Sequence, residues 1–330
     1  LFRSFSLLYL PQAYDFSSAL REFLRYFFLL FLFLEMRDPL NRDLAEKTLA
    51  LIIGIAFLMG IGGIYQVFFD AEPMPLSWAA TPGVEPLFKR AFGLFDNPNL
   101  FGTFLLIGAL SSSFFWLERG QRLMAPITGY FWLVLILTQS RGALIGAVVS
   151  LIFLFLLSLK KQRGPILILT VLVVTGFLLS GRVSTLVSED LGVNQRWELI
   201  RGSLLMLKQH WLTGISPGGF HLFYPEFRTV GGYYPLHAHN HFLETWIEMG
   251  IGGFLLLVGF WISLGRFFLK TPAGYWPFAL YMGISINSMF NQSFSFFSIT
   301  ACALMGLIVM TPADRKSTRL NSSHQIISYA

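Results

Sequence analysis

The sequence predicts an all-α, polytopic membrane protein, and three observations carry that prediction. Of 330 residues, 54% are hydrophobic and 13% are charged, whereas a soluble domain carries about 25% charged residues. The mean hydropathy is +0.61. The apolar excess is gathered into blocks: FFLLFLFL, ALIIGIAFLMGIGGI, ALIGAVVSLIFLFLLSL and ILILTVLVVTGFLL. With its flanks each block approaches the roughly 20 residues that a helix needs to cross about 30 Å of hydrocarbon. A water-soluble enzyme is thereby set aside.

About nine spanning helices are expected, near 19–35, 48–69, 99–117, 123–138, 142–159, 165–180, 239–264, 276–292 and 296–311. Their connections fall into two alternating sets. One set is short and basic: Arg37, Arg42 and Lys47; Arg119 and Arg122; Lys160, Lys161 and Arg163; Arg266 and Lys270. The positive-inside rule puts those in the cytoplasm. The other set faces outward: the acidic stretch from Asp70 to Asn97, the Gln139–Gly142 turn, the long loop over 181–238 and a short link near Ser293. A cysteine placed at Thr229 should therefore react with an impermeant thiol reagent in intact spheroplasts. Labelling only after permeabilisation would overturn this topology.

The chain so divides into N-terminal transmembrane helices over 1–180, an outer loop with an amphipathic helix over 181–238, C-terminal transmembrane helices over 239–311 and a polar tail over 312–330. It begins at Leu1 with no signal-peptide pattern and is expected to start partway through a longer protein, with initial helices missing. The tail RKSTRLNSSHQIISYA reads as a cloning or sequencing-adaptor translation, and His324 is set aside with it. The net charge of +6 is spread between apolar blocks, so it sets topology and no nucleic-acid partner is expected. The lone Cys302 excludes a disulfide framework and a cysteine-ligated metal.

Chemistry collects around the long outer loop. It holds or adjoins His210, His221, His237, His239 and His241, with Arg182, Arg196, Arg201, Lys208 and Arg228. Titratable groups on a loop above a rigid scaffold mark a site. Trp197, Ile200, Leu204, Leu207 and Trp211 recur at three- and four-residue steps, which predicts an amphipathic helix on the membrane surface. Arg196 and Arg201 are expected off that stripe, where they can face a substrate. In HAHNHFLETWIEMGIGG, over 237–253, His241, Glu244, Thr245 and Glu248 share one helical face. Ionisable groups at the mouth of an apolar helix are functional candidates, and histidine suits general-base work. His237 and His241 with Glu244 and Glu248 also have tolerable zinc spacing, but no HExxH occurs and the nearby arginines oppose a cation, so no metal and no cofactor are expected.

Three further motifs have simpler readings or rivals. Gly214-Ile215-Ser216-Pro217-Gly218 fits G-x-S-x-G, yet Pro217 has no N–H for an oxyanion hole, so a turn is expected. Asn97 and Pro98 read as a helix N-cap and first helical residue. Arg141, between two tightly linked helices, is either an interfacial anchor or a guanidinium fork for phosphate oxygens.

Four segments together resemble a known family: GLFDNPN (93–99), SRGALIG (140–146), RWELIRGSLLMLKQHWLTGISPGGF (196–220) and HNHFLETWIEMGIGG (239–253). They resemble the O-antigen ligase and O-antigen polymerase superfamily of bacterial inner-membrane glycan transferases. The last segment fits H-[NSQ]-x9-G-x-x-[GTY] through His239, Asn240, Gly250 and Gly253. The resemblance covers about 90–265 and implies a GT-C-like membrane glycosyltransferase with its site at the periplasmic face. It implies metal-independent, inverting transfer of a glycan from undecaprenyl diphosphate to a sugar hydroxyl, on lipid A core for a ligase or on another lipid-linked repeat for an O-antigen or exopolysaccharide polymerase. By motif, His239 is the catalytic histidine and Arg141 and Arg196 bind the diphosphate; Asn240, His237, His241, Glu244 and Arg201 are supporting candidates. A small-anion transporter is the alternative from another class, since some relatives are linked to anion uptake. It predicts charges near the bilayer midplane and discontinuous helices, whereas the sequence places its charges at the outer rim.

Overall fold

The computed structural model describes residues 16–38, 41–70, 89–95, 97–180, 191–228, 235–272, 274–291 and 297–312. Thr229 and the tail beyond 312 lie outside them. Among the described residues helix is the only regular structure. It forms α1 (Phe16–Arg37), α2 (Arg42–Phe68), α3 (Pro98–Leu117), α4 (Met124–Leu137), α5 (Arg141–Leu157), α6 (Lys160–Leu179), α7 (Leu191–His210), α8 (Phe220–Phe227), α9 (His241–Lys270), α10 (Tyr275–Ser288) and α11 (Phe297–Met310).

Every apolar run read from the sequence falls on one of these helices. Four helices are long and apolar enough to cross a membrane: α2, α3, α6 and α9. The 14-residue α4, α10 and α11 reach only about 21 Å at 1.5 Å per residue, short of the hydrocarbon thickness.

Connections that the charge pattern assigned to one side meet at one end of the bundle. At the basic end, Arg42 donates to the carbonyls of Ile308 (2.8 Å) and Val309 in α11 and of Thr311 (3.0 Å) just beyond it. Arg119 joins Glu46 at 3.1 Å. The Glu118 carboxylate accepts from Tyr275 (2.6 Å), Gln162 (2.9 Å) and Trp276 (3.1 Å), so α3, α6 and α10 close on one anion. At the other end, Gln66 at the close of α2 bonds Phe92 and Gly93, and Ala91 donates to Leu137 at 3.0 Å.

The core centres on α3, whose residues are almost all buried. Helices α5 and α10 approach backbone to backbone. A side chain at Gly146 would strike the carbonyl of Gly283, and Ser150 donates across to Ala279 at 2.8 Å. SRGALIGAVVS therefore presents small residues every four positions, the pattern that lets membrane helices touch. This contact fixes where α5 begins, and hence where Arg141 stands.

A second, smaller core lies outside the first. Leu199, Met206 and Leu207 of α7, Ile215, Phe220 and Tyr224 of the next segment, Ala238, and Ile247 of α9 bury one another. Its cause is a reversal in α9. Gly250 has φ +63° and ψ −171°, which no helix accommodates. Across it Trp246 stacks on Phe254 at 4.6 Å and Phe242 meets Trp261 at 6.4 Å. A straight helix would hold residues 242 and 261 roughly 28 Å apart, so the first arm (241–249) folds back beside the second (251–270). The run expected as one span over 239–264 is thus two helices, and 241–249 packs with α7 and α8. Hydropathy missed the reversal because both arms are apolar and a single glycine turns the chain.

Candidate active site

The break in α9 leaves helical carbonyls without their usual partners, and the GISPG segment supplies donors. Ile215 donates to Ile247 and Ser216 to Glu248, both at 3.0 Å. The approach is so close that a Cβ on Gly214 (φ +74°) would strike Glu248, and one on Gly250 would strike Leu212. Only glycine fits these positive-φ positions against neighbouring backbone. The segment is therefore a turn, as the proline argument expects, and its work is to clasp the end of α7 to the tip of α9. Gly250 of the H-N-x9-G-x-x-G pattern now has a physical reason in this clasp.

At the opposite end of the first arm lie the histidines. Asn240 caps it, its side chain accepting from Leu243 N–H at 3.0 Å. Glu244, buried at 4% exposure, reaches back: one oxygen lies 3.0 Å from His237 Nδ1 and the other accepts from Ala238 N–H at 2.7 Å. The carboxylate thus ties residues 237–240 into a fixed bend, within which His239 takes φ +51°. Non-glycine residues held at positive φ are uncommon and call for a constraint; the cap and the Glu244 clamp are that constraint.

His239 is partly buried, and its imidazole is pushed down from 6.5 to about 4. Burial is the main cause, followed by the charges of Arg196 and His237. The sequence-level expectation placed Arg196 and His239 in one site, and the fold brings them together from α7 and the bend that precedes α9. His241, Thr245 and Glu248 are buried on the same arm as Glu244, so the shared helical face is real. Among the described residues no three His, Cys, Asp or Glu side chains converge as a metal cluster.

Arg141 is the first residue of α5 and partly buried. Asn287 and Asn291, at the far end of α10, crowd the neighbouring Gly142. Since α10 follows α9 through a four-residue link, that end of α10 and the α9 reversal face the same side. Sequence reading missed Arg90, which is 8% exposed. It donates to Thr138 O and Asn99 Oδ1, both at 3.0 Å, and so holds the turn that presents Arg141. Nothing in its acidic surroundings marks it as buried. Asn97 does cap α3, accepting from Asn99 N–H at 2.8 Å, with Pro98 first in the helix.

Two expectations for α7 are corrected. The stripe splits: Leu207 is buried, while Trp197, Leu204 and Trp211 are exposed. The helix has two apolar faces, and a three-and-four-residue rule drew residues from both. Arg201 lies on the exposed face beside that stripe, not off it, and pairs with Glu198 at 3.0 Å.

The Glu244 clamp makes a specific prediction. Glu244→Gln keeps size but loses the charge on His237, and should cut kcat about tenfold or more, in the range of positioning effects, with KM for the lipid donor nearly unchanged. Glu244→Asp, which keeps the carboxylate, should recover part of that loss. Equal activity of the Gln variant and wild type would mean that the clamp only stabilises the fold.

Residues 126–258 match the model of a family described as O-antigen ligase. That stretch contains Arg141, Arg196 and His239, and the resemblance read from the sequence holds across it. Comparison with curated proteins finds no match.

Proposed function

We propose that this protein is an O-antigen ligase-like glycosyltransferase of the bacterial inner membrane. The helices form a multi-pass membrane bundle, and α7, α8 and the first arm of α9 form the site on its periplasmic face. The donor is a glycan on undecaprenyl diphosphate, and the acceptor is a sugar hydroxyl of lipid A core. The observation that carries the reading is His239, fixed in the bend that Asn240 and Glu244 hold and near the Arg196 charge, within the family-matched stretch.

The chemistry follows from those groups. The acceptor oxygen attacks the donor sugar's anomeric carbon from the side opposite the diphosphate. Its proton passes to the imidazole of His239, and the anomeric C–O bond breaks with its electron pair going to the diphosphate. The configuration therefore inverts. Arg196 and Arg141 offset the departing charge, an interaction strengthened where the dielectric is low. The family needs no nucleotide site, because the donor arrives through the lipid phase.

Two other readings have observations of their own. Polymerases share the family resemblance, with a lipid-linked repeat as acceptor. A small-anion transporter predicts a discontinuous helix, and α9 is one. In transporters the freed carbonyls coordinate an ion; here two of them accept amide N–H groups of Ile215 and Ser216, which favours transfer. Expression of the full-length gene in a ligase-null strain tests the proposal through its lipopolysaccharide banding. Long-chain material attached to core is the ligase result. Long chains that never reach core would assign the polymerase, and no change in banding would reject both.

A further inference from the structure

We infer that the exposed face of α7 is a membrane-docking surface, seated in an outer leaflet rich in anionic headgroups. Trp197 and Leu204 on α7 and Trp211 in the turn just past its end repeat every seven residues, and Leu205 and Leu212 flank them; all five side chains are exposed. The opposite face of the same helix is already used, since Leu199 and Met206 are buried in the small core. A surface helix whose inner face is satisfied has no folding reason to display two tryptophans and three leucines to water.

Charge chooses the occupant. On the same face Lys208 is exposed, and Arg201 pairs with Glu198, the acid of that stretch, so the face keeps a net positive charge. An apolar face threaded with cations suits an interface in which leucine and tryptophan enter the acyl boundary and basic side chains reach up to phosphate. A protein partner would have to match cations with acids on its own surface.

Continuity supports the same choice. Trp246 donates to Trp211 O at 3.1 Å and stacks on Phe254 at 4.6 Å. The stripe therefore runs onto the second arm of α9, whose exposed Leu255, Phe260 and Ile262 face outward from an arm over 251–270 that reaches about 30 Å. Docked in this way, α7 holds Arg196 at headgroup depth, where a lipid-borne diphosphate lies without leaving the bilayer. That consequence rests on the proposed function; the docking itself does not.

The test uses nitroxide labels in a Cys302→Ser background, with the whole protein in phosphatidylethanolamine–phosphatidylglycerol nanodiscs. Leu204→Cys probes the stripe, Leu212→Cys repeats the measurement at a second position, Leu255→Cys is the lipid-facing reference and Lys161→Cys the water-facing one. Docking predicts that collisions with oxygen, relative to collisions with a water-soluble nickel chelate, rise several-fold over Lys161→Cys and approach the Leu255→Cys value. A ratio at both stripe positions like that of Lys161→Cys would overturn the inference. So would spin–spin broadening between copies, which would assign the face to a second protein chain. Because no turnover is measured, loss of glycan transfer cannot mimic either result.

Discussion

His239→Ala should lower glycan transfer by about 10²–10⁴-fold, the contribution of a positioned general base, while donor binding changes little. The Asn240 cap and the Glu244 clamp fix the bend that contains His239. Burial first, then Arg196 and His237, hold its imidazole down at about 4, so it is neutral and able to accept a proton at physiological pH. The two neighbouring charges act in the same direction, but burial is the larger cause. The sign has a consequence for the pH profile. Base activity needs the neutral form, so the acidic limb of kcat/KM should fall near pH 4 and not near the ordinary 6.5. Removing the Arg196 charge should move that limb upward. His221→Ala, outside the site, should retain wild-type rates. If His239→Ala keeps more than roughly a tenth of the rate, less loss than a general base gives, the assignment is wrong and His237, His241 or Glu244 becomes the candidate.

Arg196→Lys and Arg141→Lys should each reduce transfer by about 100-fold, comparable to removing one fixed donor from a developing anion. Lysine keeps the charge but not the planar fork that grips two phosphate oxygens. The loss should therefore include weaker donor binding, unlike the loss at His239. Thermal unfolding should be little changed at Arg196, which is partly exposed. Wild-type turnover from both variants would make these arginines interfacial anchors only.

Much of the helical layout was legible because helices that face lipid or core carry long apolar runs, and because basic connections alternate. Glu118, Arg42 and Arg119 meet at one end and Gln66, Arg90 and Asn287 at the other for that reason. The pairing of Arg196 with His239 was legible through motif resemblance, not periodicity. What hid was three-dimensional. The reversal at Gly250 leaves no trace in hydropathy, and its partner Gly214 sits inside a motif with a different apparent meaning. Burial of Arg90 depends on the α4–α5 turn lying over it. The two faces of α7 separate only when α8 and the first arm of α9 cover one of them.

The most direct test of the central claim is transfer by purified protein in detergent, with an undecaprenyl-diphosphate glycan and lipid A core, without ATP and with a chelator present. The wild type should give core-linked product of inverted anomeric configuration, and His239→Ala none above background. Product of retained configuration, or equal product from both proteins, would contradict it.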